Sequence, residues 1–310
     1  MEYRNMGRTG LKLSEISLGG WLTFGGSVDD KTAFACLDAA VEHGVNFIDL
    51  ADIYAHGNAE RVFGEWLKGK KRSDFVISSK VYWPMSENVN DRGLSRKHIM
   101  ESVEGSLKRL GTDYLDIYFC HRYDETTPVE EVARAMSDLV QQGKILYWGT
   151  SVWEADQLGN AVDTAHRWLG YQPFVEQPRY NMLDRRIEDE IMPVCAEKGL
   201  GIVVWSPLAQ GVLTTKYLNG VPEDARANYS DWIKQDLTPE NLDRVRKLTA
   251  IAGDLGLTMP QLALAWILRR PEISSVITGA SRPQQVEENV RASGVRLDED
   301  TLAEIEKILA

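Results

Sequence analysis

The chain has 310 residues, 43% of them hydrophobic and 26% charged, which is typical of a globular protein with a large core. The formal net charge of −11 argues against general nucleic-acid binding, which requires a basic surface. No apolar run approaches the roughly 20 residues of a membrane span, so we expect no direct membrane insertion. The cysteines lie far apart and the first residues form no hydrophobic leader, which favours a cytoplasmic location.

Short apolar runs alternate along the chain with segments of helical periodicity. The predicted strands cover residues 15–19, 46–50, 75–80, 114–120, 145–150, 174–177, 201–205 and 274–278. The predicted helices cover 29–43, 57–69, 95–110, 153–168, 184–198, 283–292 and 298–309, and others begin at Thr127, Thr238 and Thr258. The helices at Thr127 and Thr258 are predicted to begin with capping boxes. Residues 206–238 contain no clear long element, and loops of that length are usually functional or disordered.

Eight strands separated by helices imply parallel pairing with right-handed crossovers. They fit a single α/β domain over residues 1–310, a (β/α)₈ TIM barrel with an extra C-terminal helix. In this fold the active site lies at the carboxyl ends of the strands. The alternative is an open, doubly wound sheet, but the GxGxxG turn that normally follows its first strand is absent from the sequence.

Ionisable side chains close three successive predicted strands. Asp49 ends the second strand, with Tyr54 five residues later, and Lys80 and His121 end the next two. A lysine cation beside a tyrosine should lower the tyrosine pKa, and an aspartate would position the lysine. With a histidine bonding the carbonyl oxygen, the set predicts a proton relay to an oxygen that gains charge as hydride arrives. Asp49 could instead cap a helix, and Tyr54 could simply pack in the core.

These residues stand in motifs that resemble the aldo-keto reductase family. The motifs are Phe47-Ile-Asp-Leu-Ala-Asp-Ile-Tyr54, Ser78-Ser-Lys80, Gly149-Thr-Ser151 and Glu176-Gln-Pro-Arg-Tyr-Asn181. The resemblance covers nearly the whole chain. It implies that Asp49, Tyr54, Lys80 and His121 form the catalytic tetrad of a reductase that uses NADPH/NADP⁺ on small aldehydes or ketones.

Within the family the chain is most similar to the potassium-channel β-subunit branch. That likeness rests on Trp21-Leu-Thr-Phe-Gly-Gly26, Tyr147-Trp-Gly-Thr-Ser151, Trp205-Ser-Pro-Leu-Ala-Gln-Gly211 and Gly279-Ala-Ser-Arg282. The branch implies a homotetramer and an alternative function as a slowly turning-over, NADPH-binding channel partner. His121 stands where the channel subunits have asparagine. We therefore favour a free-standing enzyme over a channel partner.

The ends of the later strands predict a cofactor site. Trp205 could stack on nicotinamide, or merely pack the barrel, while Ser151 and Gln177 could bond the carboxamide. A helix N-terminus after the eighth strand, capped by residues 281–284, would favour an anion. Lys216, Ser281 and Arg282 would suit a 2′-phosphate and hence NADPH over NADH, although Arg282 could be an ordinary solvated cation. The full predicted set is Gly20, Trp21, Ser151, Gln177, Trp205, Ser206, Pro207, Leu208, Gln210, Gly211, Lys216, Gly279, Ser281, Arg282, Gln285, Glu288 and Asn289.

An aromatic substrate pocket is predicted from Trp21, Tyr82 and Trp83. No metal site is predicted, because the remaining histidines are isolated and lack ligand spacing. A cofactor-free barrel isomerase is a further alternative, which bound nicotinamide in the purified protein would exclude. A serine hydrolase is disfavoured because the sequence contains no GxSxG motif.

Overall fold

The computed structural model describes residues 1–21, 23–222 and 233–310. Eight parallel strands close into a barrel in sequence order, with the last strand pairing with the first, which confirms the predicted fold class. The barrel strands are β3 (Ile16–Gly19), β4 (Phe47–Asp49), β5 (Val76–Val81), β6 (Leu115–Cys120), β7 (Ile145–Thr150), β8 (Val175–Glu176), β9 (Gly201–Val204) and β10 (Ile273–Thr278). They follow the antiparallel pair β1 (Tyr3–Asn5) and β2 (Lys12–Ser14).

Helices surround the barrel and pack against their neighbours in turn. They are α1 (Asp30–Glu42), α2 (Asn58–Leu67), α3 (Arg96–Leu110), α4 (Val129–Gln141), α5 (Ala155–Arg167), α6 (Ile191–Lys198), α7 (Pro239–Asp254), α8 (Met259–Leu268), α9 (Pro283–Val290) and α10 (Glu299–Leu309). The C-terminal helix α10 packs on α7. The capping box predicted at Thr258 is present, with the Gln261 side chain reaching back to the Thr258 N–H.

Some predicted boundaries were wrong for local reasons. Pro128, and not Thr127, occupies the N-cap of α4, because the Thr127 hydroxyl donates instead to Asp124. The single helix predicted over 184–198 divides into a 3₁₀ turn, Arg186–Glu188, and the shorter α6. Part of the predicted long loop, 223–232, lies outside the described residues.

Apolar side chains fill the barrel interior and the layer between the barrel and the helices. The interior cluster includes Phe47, Phe119 and Val203 from the strands, with Met6 and Leu13 from the N-terminal hairpin region. Burial on both faces explains why these parallel strands are near-continuous apolar runs. Polar side chains lie instead at the rim formed by the carboxyl ends of the strands.

The strand register brings the predicted catalytic strand ends to one rim. Asp49 pairs with Ser78 across β4 and β5, and Lys80 pairs with Phe119 across β5 and β6. The His121 N–H then donates to the Val81 carbonyl, which holds the histidine just beyond the barrel. The ends of three neighbouring strands therefore meet at one mouth, as the fold requires of an active site.

In the described ranges, neither α7 nor α8, nor any other single helix, is long and apolar enough to cross a membrane. The pair α7 and α8 passes such a test together by length and composition, but the two helices meet at 88°. Every residue of α8 except Pro260 is buried inside the protein, which accounts for the apolar character of this helix.

Candidate active site

Lys80 lies at the centre of a buried hydrogen-bond cluster at the barrel mouth. Its Nζ donates to Asp49 Oδ2 at 2.7 Å, to the Leu50 carbonyl oxygen at 2.7 Å and to Tyr54 Oη at 3.0 Å. Lys80 is 0% exposed and Asp49 is 3% exposed, so water does not screen the pair. Each N–H of the ammonium has a partner, which offsets the cost of burying the charge.

Asp49 is fixed from two further directions. Its Oδ1 accepts hydrogen bonds from Ser78 Oγ at 2.8 Å and from Gln177 Nε2 at 3.0 Å, across the barrel. Ser151 Oγ in turn donates to the Gln177 carbonyl oxygen at 2.9 Å. Ser151 and Gln177 therefore support the Asp49 carboxylate, a role that the sequence did not predict. Their contacts with the carboxamide of nicotinamide stay a prediction.

Tyr54 begins a strained turn, Tyr54–Gly57, between β4 and α2. Ala55 and His56 have φ values of 48° and 50°, in the left-handed region that is costly for residues with a side chain. Gly57 follows at φ 82°, where an added Cβ would lie 2.7 Å from Arg109 Cδ. The Arg109 side chain, from α3, therefore holds this turn at close range.

Two polar contacts anchor the turn to its surroundings. Arg109 Nε donates to Glu60 Oε2 at 2.6 Å, and Ser102 Oγ on α3 donates to Asp52 Oδ2 at 2.8 Å. Asp52 Oδ1 also accepts from its neighbour's backbone, the Ile53 N–H, at 2.6 Å. Sequence reasoning missed Asp52, although a second aspartate three residues after Asp49 was a signal that could have revealed it.

The Tyr54 hydroxyl is protonated at neutral pH. Burial raises the Tyr54 pKa well above 10, the Asp49 charge raises it further, and Arg122 partly opposes both. The prediction that Lys80 lowers the Tyr54 pKa is therefore wrong. Lys80 Nζ does contact Tyr54 Oη, but it also donates to Asp49 Oδ2 at 2.7 Å, and the carboxylate balances the lysine charge. A protonated hydroxyl is nevertheless the state that a general acid needs.

His121 is a neutral imidazole beside Tyr54. The two ring centroids are 5.9 Å apart. Burial, followed by the charges of Lys80 and Arg122, lowers the His121 pKa well below its usual 6.5. Its Nδ1 is buried and has no hydrogen-bond partner in the described part of the chain. A neutral imidazole with free bonding capacity can donate to a carbonyl oxygen without carrying charge.

Aromatic rings stand in two groups at the mouth. Trp83 packs edge-on against Tyr82, with centroids 5.0 Å apart, and lies 6.3 Å from the His121 ring. Trp21 lies edge-on to Trp205, with centroids 6.3 Å apart. The predicted pocket residues thus divide, with one group beside the predicted tetrad and the other beside the predicted nicotinamide site.

The predicted cofactor segment 205–211 has an irregular backbone. Ser206 and Gln210 have φ values of 55° and 58°. Their Oγ and Oε1 atoms are buried without a hydrogen-bond partner in the described residues, as expected of groups that bond a ligand. Pro207 is buried and Leu208 is half-buried. The Lys216 side chain lies against Gly211, so that a Cβ there would meet Lys216 Cε at 2.7 Å.

The start of α9 differs in one respect from the prediction. Arg282 takes the N-cap position, and Ser281 does not cap the helix. Instead Gln285 Oε1 accepts from the Ser281 N–H at 2.8 Å and from its hydroxyl at 3.2 Å. Arg282 remains exposed at the helix start.

The other predicted cofactor residues differ in exposure. Asn289 is buried, Gly279 is exposed, and the Glu288 carbonyl accepts from Gln261 Nε2 at 3.1 Å. Gly20 is also buried, where an added Cβ would lie 2.7 Å from Leu50 Cδ2. Its backbone N–H donates to the Asp49 carbonyl oxygen at 2.9 Å, so Gly20 supports the relay strand.

Comparisons with known proteins agree with this geometry. The model of the aldo/keto reductase family matches residues 15–310. The chain is 47% identical over 302 residues to a probable voltage-gated potassium channel subunit beta from Oryza sativa subsp. japonica, covering 95% of this chain and 92% of the relative. The corresponding protein from Arabidopsis thaliana is 46% identical over 302 residues, with the same coverage. A putative channel subunit beta from Schizosaccharomyces pombe is 43% identical over 319 residues, covering 99% of this chain and 93% of the relative.

Proposed function

Because this chain belongs to the aldo/keto reductase family, we propose that it is an NADPH-dependent enzyme that reduces aldehydes or ketones to alcohols. The observation that carries the proposal is the hydrogen bond from the buried Lys80 Nζ to Oη of the half-buried Tyr54; the same ammonium also binds Asp49. Membership of the family supports oxidoreduction with a nicotinamide cofactor in general. The choice of NADPH and the role of Tyr54 as general acid are the finer parts of the proposal.

The proposed mechanism divides the work among the four rim residues. The nicotinamide, when bound, supplies hydride to the carbonyl carbon. Tyr54 Oη gives its proton to the carbonyl oxygen as negative charge develops there. Lys80 already donates a hydrogen bond to Tyr54 Oη, so it stabilises the phenolate that proton transfer leaves. Neutral His121 donates a hydrogen bond to the same carbonyl oxygen.

The residues of the 205–211 segment fit a dinucleotide. Ser206 Oγ and Gln210 Oε1 offer unused hydrogen-bonding capacity, and the half-buried Trp205 ring offers a flat surface. Lys216 and Arg282 are exposed cations that would bond a 2′-phosphate. This positive charge is the reason for proposing NADPH over NADH.

Replacement of Tyr54 tests the proposed chemistry. Tyr54→Phe removes the proton donor and keeps the ring, so single-turnover reduction of 4-nitrobenzaldehyde should fall roughly 10²–10⁴-fold. Lys80→Met should have a similar effect, and the two losses should be strongly non-additive because they disable one relay. Stopped-flow absorbance of NADPH would measure the hydride-transfer step itself.

The matched control is Tyr147→Phe. Tyr147 packs against Phe174 beside the interior cluster, away from the predicted tetrad, so this hydroxyl deletion should leave the rate unchanged. A Tyr54→Phe variant that is folded, binds NADPH and keeps a near-wild-type single-turnover rate would show that Tyr54 is not the acid.

A second candidate function is a regulatory channel partner that binds NADPH and turns over slowly. It is favoured by the relatives at 43–47% identity, which are named as probable or putative voltage-gated potassium channel subunits beta. Steady-state NADPH oxidation separates the candidates, because robust turnover supports an enzyme and tight binding without turnover supports the partner. His121 is the residue on which we base the preference for the enzyme.

The resemblance to the channel β subunits also supports a homotetramer, which light scattering would test. A cytoplasmic location stays part of the proposal.

A further inference from the structure

Arg122 is a half-buried cation at the barrel mouth that the proton relay does not use. It follows His121 after β6, and its guanidinium carbon lies 5.7 Å from the Trp83 ring centroid. Its Nη1 donates to the His121 carbonyl oxygen. A guanidinium carries five N–H donors, so that contact leaves most of its bonding capacity available.

The other half-buried arginines of the described ranges provide a comparison. Each has a carboxylate oxygen within 4.0 Å: Arg4, Arg72, Arg109, Arg179, Arg185, Arg244, Arg269 and Arg270. Arg122 is the one half-buried arginine of those ranges that has no carboxylate oxygen within 4.0 Å. Burying a cation without an anion is costly, which points to a partner from outside the chain.

Glu176 is the carboxyl whose charge reaches Arg122, but it is engaged elsewhere. It accepts hydrogen bonds from Thr150 Oγ1 and from the Trp153 N–H. Burial raises its pKa to about 7, so it is only partly ionised at neutral pH. Glu176 therefore offsets the guanidinium charge only in part and forms no ion pair with it.

The Arg122 charge acts electrostatically on the residues of the proton relay. It lowers the pKa values of Tyr54, Lys80 and His121, each of which lies at the mouth. The Trp83 ring, 38% exposed, lies 5.7 Å from the guanidinium carbon. A substrate whose carbonyl oxygen bonds Tyr54 and His121 would therefore have its adjoining part beside Arg122.

We propose that Arg122 is a specificity-determining residue that binds a carboxylate group of the substrate. The inference rests on the proposed function and narrows its substrate class to aldehydes and ketones that also carry a carboxylate. A planar guanidinium matches a carboxylate with two parallel hydrogen bonds, and the neighbouring Trp83 ring suits an aryl or alkyl spacer.

A matched pair of substrates tests the proposal. 4-Carboxybenzaldehyde and methyl 4-formylbenzoate present the same aldehyde with and without the negative charge. In the wild type, kcat/KM should favour the acid about tenfold or more, and Arg122→Gln should remove that preference. Arg122→Lys should restore part of it. Both substrates use the same proton donor, so any effect of the lost charge on Tyr54 cancels in the ratio.

The matched control is Arg134→Gln, which removes the same charge from the outer surface. Arg134 lies over the Trp168 ring at 3.9 Å, between α4 and the end of α5. The acid-to-ester ratio of this variant should equal that of the wild type. A ratio that falls equally in both variants would reflect net charge and would overturn the proposal.

Binding without turnover separates this inference from the proposed function. Calorimetry would compare 4-nitrobenzoate with methyl 4-nitrobenzoate on protein saturated with NADP⁺. Stronger binding of the acid to wild type, lost in Arg122→Gln, supports the carboxylate site even where neither aldehyde is reduced; in that case the reductase proposal fails alone. Equal binding of acid and ester by the wild type, or equal losses of both in Arg122→Gln, overturns the site.

Discussion

Asp52, beneath the turn that holds Tyr54, should make stability depend on pH. The residue is 0% exposed. Burial, followed by the charge of Glu60, raises its pKa from 3.8 to about 7, although hydrogen bonds from Ser102 and Ile53 oppose the change. Between these two values the folded protein holds a proton that the unfolded chain has released. Stability contributed by this group therefore falls as pH rises from about 4 to about 7.

The size of the effect follows from the pKa values. A carboxyl pKa raised from 3.8 to about 7 lowers the free energy of unfolding by at most about 4 kcal/mol as the pH rises through that window. Asp52→Asn keeps the shape and can bond Ser102 and Ile53, but it cannot titrate. The unfolding free energy of the variant relative to the wild type should therefore rise by on the order of 2–4 kcal/mol between about pH 4.5 and pH 7.5.

Urea unfolding followed by tryptophan fluorescence at several pH values would measure this difference. Asp254→Asn is the control, because Asp254 is an exposed aspartate at the end of α7. Its difference from wild type should be independent of pH over the same range. A constant difference for Asp52→Asn as well would refute the reasoning, since it would mean that Asp52 is ionised in the folded state throughout.

Two further predictions concern the turn and the cofactor. Gly57→Ala should lower both turnover and stability, the latter by about 1–3 kcal/mol, because φ is 82° and the new Cβ would meet Arg109; unchanged kcat and melting temperature would contradict this. Arg282→Ala should weaken NADPH binding about tenfold to hundredfold while sparing NADH, as fluorescence titration would measure. Equal losses for both cofactors would show that Arg282 does not hold the 2′-phosphate.

The barrel was predictable because its signal is local. Every barrel strand except β7, in which Leu146 is exposed, is a short run of buried residues, and polar residues such as Asp49, Lys80 and His121 lie at the ends of the runs. Parallel pairing then brings those ends to one rim without further information. Helix starts were less predictable, because Asp124 competes for the Thr127 hydroxyl that would otherwise cap α4.

The supports of the relay were not predictable, because they join distant parts of the chain. Ser102 lies 50 residues from Asp52, and Gln177 lies 128 residues from Asp49. No periodicity or spacing connects such pairs. The direction of the Tyr54 pKa also depends on burial, which outweighs the nearby lysine once Asp49 has neutralised that charge.

The same charge balance explains why recognition of an anion would fall to Arg122. The Lys80 cation at the rim is already paired with Asp49, and His121 is held neutral by burial and by its cationic neighbours. The whole chain carries a net charge of −11, so its long-range field repels an anionic substrate. A carboxylate must therefore be recognised at short range, by a cation shielded from salt and without a competing carboxylate. In the described part of the mouth, the Arg122 guanidinium meets those conditions while leaving the proton relay to Tyr54.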